Sequence, residues 1–137
     1  MLHRYFCILC AVALAYCTSN RDQALRELYR DGIAYLQTTL SALQATKTAD
    51  EAADAVEKSL PPLKTLVERK KALEKKYPEL ADTTRREQIH SQFAEFHELR
   101  KAAQELYRYG SAMALRYKNH ERFMKASRTG WELLAYF

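Results

Sequence analysis

The 137-residue sequence predicts an all-α protein, an antiparallel bundle of three to four helices with a long third helix, after an N-terminal signal peptide. Apolar residues recur at intervals of three and four along most of the chain, which is the pattern of amphipathic helices. Three glycines and three prolines are too few for the many turns of an all-β fold. A composition of 47% hydrophobic and 28% charged residues fits one packed domain.

The N-terminal segment differs from the rest and predicts export. Arg4 precedes an apolar run from Tyr5 to Tyr16, which is shorter than the roughly 20 residues that cross a bilayer. A basic start, a short apolar run and small residues near its end are typical of a secretory signal peptide. We therefore expect a signal peptide at 1–17 and a helical bundle domain at 18–137, located in the periplasm or at the outer membrane.

Two processing sites compete at the end of this segment. Residues 13–15, Ala-Leu-Ala, fit the small-x-small pattern of ordinary signal peptidase, with cleavage after Ala15. Residues 14–17, Leu-Ala-Tyr-Cys, resemble a bacterial lipobox, in which the cysteine is lipidated, although a tyrosine stands where a small residue is usual. Lipidation of Cys17 would leave no free thiol in an oxidising compartment, because the two earlier cysteines leave with the signal.

The first helix of the domain is predicted to begin at Asn20 and to end at Lys47 and Thr48. Asn is a good N-cap, and Gln23 follows three residues later. The predicted core stripe of this helix is Leu25, Leu28, Tyr29, Gly32, Leu36, Thr39, Leu40 and Leu43.

The second helix opens with a capping box at Thr48–Glu51 and is predicted to end at Tyr77-Pro78. Pro61 and Pro62 interrupt it, yet the apolar phase is the same on both sides. We therefore expect a kink or a brief break between collinear pieces, not a reversal. The shared apolar face is Ala52, Val56, Leu63, Leu66, Val67, Leu73 and Tyr77.

The third helix is predicted to open with a capping box at Thr84–Glu87 and to carry a seven-residue repeat from Ile89 onward. The repeat passes through Gly110. Either one long helix continues through Gly110, with a short terminal helix that begins near Asn119, or Gly110 forms a turn and the fold is a four-helix bundle. The continuous repeat favours the long helix. Two positions of the repeat face the predicted core. The first holds Ile89, Phe96, Ala103, Gly110, Tyr117, Met124 and Trp131, and the second holds Gln92, Leu99, Leu106, Met113, His120, Ser127 and Leu134.

Three segments besides the signal peptide carry a resemblance to known sequences. They are Thr48–Ala55 at the start of the second helix, Lys75–Leu80 after it, and Arg116–Phe123 near the C-terminus. In these segments the chain resembles uncharacterised, small, secreted all-helical bacterial proteins of the planctomycete and verrucomicrobial type. The resemblance spans about residues 25–127 and implies an exported helical fold, without an activity.

The histidines are the candidate ligands for a metal or haem. His90 and His97 are seven residues apart, about 10 Å along a helix, and both fall outside the apolar stripe, so we expect them in solvent. His120 lies on the stripe. It is a weak candidate for one haem or metal ligand, and the competing interpretation is a partly buried histidine that hydrogen bonds to a tyrosine or a backbone carbonyl. We expect no metal site and no cofactor.

Catalytic motifs are missing from the sequence. There is no Gly-x-Ser-x-Gly, and the three glycines stand alone, so no glycine-rich loop is present to hold phosphate. The sequence therefore predicts a protein that is not an enzyme.

The C-terminal region is basic and aromatic. Residues 85–137 hold 10 basic and 6 acidic side chains, whereas residues 17–84 hold 11 of each. In an exported chain, an envelope protein or an anionic surface is a better partner for such a region than nucleic acid, and a solvated helix face is the competing interpretation. The candidate contact surface is Arg116, Lys118, Arg122, Lys125, Arg128 and Trp131.

These observations predict a non-enzymatic, exported helical interaction or structural module of the cell envelope, attached to the membrane through a lipid at Cys17 and able to self-associate. The alternative is a periplasmic ligand-binding bundle that holds haem or a metal through His120. The apolar tail, Trp131–Phe137, is expected either to fold back over the bundle or to dock on a partner.

Overall fold

The computed structural model describes the backbone of residues 2–137 and the side chains of residues 20–137. Within these residues it contains five α-helices and no β-strand, which confirms the predicted all-α class. The signal-peptide prediction for 1–17, with Cys17, lies outside the residues whose side chains are described. The helices are α1 (Leu2–Gln44), α2 (Ala49–Lys76), α3 (Thr83–His90), α4 (Ala94–Arg116) and α5 (Glu121–Tyr136), and a 3₁₀ turn at Pro78–Leu80 follows α2.

Helix α1 buries the predicted stripe but does not begin where the sequence predicted. Leu25, Tyr29 and Leu36 are each no more than 2% exposed. Asn20 lies inside α1 and is not its N-cap. No glycine or proline lies between Leu2 and Asn20, so the sequence contains nothing that would stop the helix there.

Helix α2 forms an antiparallel hairpin with α1 and has the predicted start. The Glu51 N–H donates to the Thr48 hydroxyl at 3.2 Å, and the Thr48 N–H donates to the Glu51 carboxylate at 3.4 Å, which confirms the capping box. The helix runs through Pro61 and Pro62 without interruption, so the collinear interpretation is confirmed and no break occurs. Both prolines are exposed, so the carbonyl groups that lose their partners can bind water.

The predicted third helix is divided in two. Asp82 caps α3, since its Oδ1 accepts the Arg85 N–H at 2.8 Å, so the predicted capping box at Thr84 is wrong. Aspartate is a stronger N-cap than threonine, and it comes first in the chain. A break at 91–93 then separates α3 from α4. Phe93 adopts an extended conformation there and buries its ring, at 4% exposure.

Helix α4 is the long helix that the repeat predicted. It contains Gly110 in its interior without a turn, so the turn alternative is wrong. Helix α5 follows a short turn, and its N-cap is His120 instead of Asn119. The turn shifts the phase of the repeat, so the buried residues of α5 are Phe123 and Ala126, which lie off the predicted positions.

The four long helices pack as a bundle. Each pair of neighbouring helices forms one edge of this bundle, and three of the four edges are closely packed. Helix α1 packs against α2, α4 packs beside α1, and α5 packs beside α2. Arg26 pairs with Glu95 at 2.9 Å, and Lys70 donates to the Tyr136 carbonyl at 2.6 Å, so α4 runs parallel to α1 and α5 runs parallel to α2. The backbones of α4 and α5 approach each other closely at few positions. The fourth edge is therefore open.

Candidate interaction groove

The open edge between α4 and α5 forms a groove of about 1020 Å³. Its α4 wall extends from Phe96 to Ser111, about 22 Å along the helix axis, with lining residues spaced three or four apart. Leu36 of α1 also lines it. The rest of the lining is Leu99, Arg100, Ala103, Gln104, Tyr107 and Arg108 from α4, Trp131, Leu134 and Ala135 from α5, and Phe137.

Two glycines shape the groove because aromatic rings lie directly on their helix backbone. A Cβ atom at Gly110 would lie 2.6 Å from Cζ2 of Trp131. A Cβ atom at Gly32 would lie 2.7 Å from the Phe137 ring and 2.8 Å from the Leu99 side chain. Both distances are far below van der Waals contact, so a side chain at either position would displace its ring. The Trp131 indole thus occupies the space between α5 and α4 and keeps the two backbones apart.

Aromatic and basic side chains form the outer part of the groove. Tyr107 is 64% exposed and meets Trp131 edge to face, with ring centroids 5.4 Å apart. Arg100 and Arg108 are exposed, and neither forms an ion pair with a carboxylate of residues 20–137. They are the only charged members of the described lining. The groove is therefore mostly apolar, with an unneutralised basic flank on α4.

The structure does not bring the predicted contact residues to one place. Trp131 lines the groove, whereas Arg122 and Lys125 line a separate depression between α2 and α5, next to Glu57. The other predicted members are Arg116, whose guanidinium lies 5.3 Å from the Tyr117 ring, Lys118 in the turn after α4, and Arg128, which is exposed on α5.

Arg122 is paired with α2 and is not a free cation. Its Nη2 donates to Asp54 at 2.6 Å and to Glu57 at 2.5 Å, and its Nε donates to Glu57 at 2.9 Å. These hydrogen bonds, that to Glu57 foremost, raise the pKa of Arg122 and lower the pKa of Glu57. Arg122 therefore helps to close the α2/α5 edge.

His120 uses both ring nitrogens within the fold. Nδ1 accepts the Phe123 N–H at 3.2 Å as the cap of α5, and Nε2 lies 3.1 Å from the Asp50 carboxylate of α2. The partners expected from the sequence, a tyrosine or a carbonyl, are replaced by this N–H and this carboxylate. In the part of the chain whose side chains are described, no three His, Cys, Asp or Glu residues are grouped to hold a metal ion. His120 therefore joins α5 to the start of α2.

His90 is buried, at 9% exposure, so the prediction that it is solvated is wrong. A hydrogen bond joins its Nδ1 to the hydroxyl of Tyr29, and Phe96 packs against both rings. The sequence pattern missed this burial because it assumed one continuous helix. The break at 91–93 instead separates His90, the last residue of α3, from the face of α4. His97 is exposed, as predicted.

The surroundings of His90 favour its neutral form. Burial, followed by the nearby charges of Arg86 and Lys70, lowers the pKa of His90 to about 4. Burial also raises the pKa of the Tyr29 hydroxyl, so the pair is uncharged at pH 7. Nε2 of His90 is buried without a partner among the described residues. A cavity of about 30 Å³ beside the ring is large enough for one water molecule.

Comparison with known proteins does not assign a function. No protein-family model matches the chain, and neither curated proteins nor solved structures gave a match. Among the described residues, no helix has both the length and the hydropathy that a membrane span requires. A functional argument must therefore begin from the groove and its side chains.

Proposed function

We propose that the chain is a non-enzymatic helical interaction module that binds its partner in the groove between α4 and α5. The observation that carries the proposal is the open fourth edge of the bundle, where Trp131, Tyr107 and Leu134 line an apolar surface. Exposed apolar surfaces rimmed by polar side chains mark binding sites on proteins. Trp, Tyr and Arg, which the groove combines, are the residue types enriched where interfaces gain most of their binding energy.

The groove itself can be tested with an apolar dye before any partner is known. Trp131 is the only tryptophan of the chain, so its fluorescence reports occupancy of the groove. We expect N-phenyl-1-naphthylamine, an uncharged apolar dye, to bind at one site per chain, with energy transfer from Trp131. Replacing Ala103 on the α4 wall by arginine should weaken this binding at least tenfold, because a long cation would fill the groove.

Ala112 provides a matched control on the same helix. It is exposed and does not line the groove, so Ala112→Arg adds the same side chain outside the site. Thermal unfolding of both variants shows whether each retains the fold. Equal dye affinity for two folded variants would contradict the proposal.

Our proposal also includes export and location in the cell envelope. Two observations support this part of the proposal. Residues 1–17 have the basic start and apolar run of an export signal, and residues 14–17 resemble a lipobox. The module would then be held at the membrane by a lipid on Cys17, or released after cleavage behind Ala15. Intact mass spectrometry of the native protein distinguishes the two forms. A chain that retains Met1 and fractionates with the cytosol would contradict export without affecting the proposal for the groove.

A further inference from the structure

We infer that the partner segment is an amphipathic α-helix with acidic residues along one flank, an inference that rests on the proposed function of the groove. Three edges of the bundle are closed, and at the fourth the Trp131 indole holds two antiparallel helices apart, so that the groove runs along their outer side. A helix laid into this groove would bury an apolar stripe at positions i, i+3, i+4 and i+7 against α4 and α5. The α4 wall, about 22 Å long, matches four turns of such a helix.

The shape of the groove favours a helix over a small apolar ligand. Small ligands bind in concave cavities that bury most of their surface. The groove is open to solvent along its length, and its wall is as long as a helix of about 15 residues. A second pocket, which shares Trp131 and Leu134 with the groove, measures about 40 Å³ and is too small for an acyl chain.

The charges of the groove specify the flank of the partner helix. Arg100 and Arg108 are eight residues apart on α4, about 12 Å along its axis, and both belong to the groove lining. Carboxylates seven or eight residues apart on a helix parallel or antiparallel to α4 would meet both guanidinium groups. Because arginine binds carboxylates through two hydrogen bonds, the pair fixes the register of the partner as well as its charge.

The centre of the groove supplies the apolar anchors. Ala103 is small and lies one turn before Tyr107, so the backbone of a partner could approach α4 closely at that point. Trp131 and Tyr107 flank the position and offer large rigid surfaces at small cost in conformational entropy. Leucine side chains of the partner would contact these rings.

The test uses the full chain and two peptides. The first is an 18-residue amphipathic helix with leucines on one face and glutamates on one flank, and the second has lysine at each glutamate position. We expect the acidic peptide to bind one per chain and to shift the Trp131 emission to shorter wavelength. The lysine peptide should bind at least tenfold more weakly. The double variant Arg100→Glu/Arg108→Glu, which changes two exposed side chains, should reverse this preference while it retains the thermal unfolding profile.

Three results would overturn the inference. The first is a double variant that prefers the same peptide as the native chain. The second is displacement of the acidic peptide by palmitate at concentrations below those at which the peptide binds. The third is a dimer in sedimentation analysis that Ala103→Arg abolishes. If the dye binds in the groove and the acidic peptide does not, the partner chemistry is wrong and the interaction groove stands. If neither binds, both proposals fail.

Discussion

Helix α5 has two neighbours and packs closely against only one of them. Toward α2, it presents Gly130, at which an added Cβ atom would lie 3.7 Å from the side chain of Leu60 and 3.9 Å from that of Val56. Toward α4, it presents the large indole of Trp131 on the backbone of Gly110. Small residues allow close approach of helices, whereas the ring holds α4 away, so the size of the facing side chains decides which edge closes.

The arginine side chains also differ between the two edges: they are paired with carboxylates on the α2 edge and, among the residues described, unpaired on the α4 edge. On the α2 edge, Arg122 donates to Asp54 and Glu57. On the α4 edge, Arg100 and Arg108 line the groove and pair with no carboxylate of the described chain. The closed edge therefore contributes to stability through buried apolar surface, while the open edge leaves apolar and charged groups exposed in a groove.

The largest effect is expected from removing a side chain of α5 that is buried in the core of the bundle. Phe123→Ala should lower the free energy of unfolding by about 3–5 kcal/mol, because a buried ring is lost and a cavity remains. Tyr107→Ala, on the open edge, should change it by no more than about 0.5 kcal/mol, because Tyr107 is 64% exposed. Urea denaturation measures both. Similar losses in the two variants would mean that Tyr107 is packed as tightly as a core residue and that the α4 edge is not open as described.

The second effect concerns the buried His90, which hydrogen bonds to Tyr29. The folded-state pKa of His90, about 4, lies below the ordinary value of 6.5, so the unfolded chain binds more protons between these values. The contribution of His90 to stability is fully present above pH 6.5 and is lost as the pH falls toward 4, by about 3 kcal/mol.

Two variants isolate this contribution from other titrating groups. His90→Gln keeps a hydrogen-bonding side chain for Tyr29 but does not titrate, so its unfolding free energy should vary less between pH 7 and pH 4.5. His97→Gln removes an exposed histidine and should preserve the native pH dependence. An unchanged slope in His90→Gln would refute the assignment.

Two glycine substitutions sharpen the comparison of the edges. Gly130→Ala should stabilise the protein by about 0.5–1 kcal/mol, because its Cβ would meet neighbours at ordinary distances of 3.7 and 3.9 Å and alanine favours the helix. Gly110→Ala should lose this gain and destabilise the protein by about 1 kcal/mol, since its Cβ would lie 2.6 Å from Trp131. Melting temperature measures stability, and a change in Trp131 emission should accompany only Gly110→Ala. Stabilisation by both substitutions would show that the indole does not separate the helices.

The smallest effect is expected from the ion pair on the closed edge. Arg122→Gln should lower the urea midpoint slightly, because the three side chains are exposed and solvent screens the pair. The difference from the native chain should shrink in 1 M NaCl, where the Debye length is about 3 Å. A difference that does not depend on salt would indicate a packing role for the Arg122 side chain.

Much of the fold followed from local patterns. The capping box at Thr48 and the core stripe of α1 were predicted correctly, as was the passage of α4 through Gly110. Three boundaries were wrong, at Asn20, Thr84 and Asn119, where competing caps or an uninterrupted helix decided the result. Helix ends depend on one or two hydrogen bonds, so they are harder to predict than a stripe to which many residues contribute.

The candidate site was predicted only in part. Trp131 was selected as a contact residue and lies in the groove, but the basic residues selected with it lie elsewhere. Arg100, Arg108 and Tyr107 were missed, because a sequence shows which residues share a helix face and not which face a neighbour covers. The burial of His90 was missed for the same reason, since it depends on Tyr29, 61 residues away.

The spacing of apolar residues along one helix is a local property, so it was sufficient to predict the helical class and the core stripes of α1 and α2. The tertiary structure decided which helices become neighbours and how closely. That choice depends on side-chain sizes that meet only after folding, such as Trp131 on Gly110 and Gly130 beside Val56. The open edge, and with it the candidate binding groove, follows from those contacts.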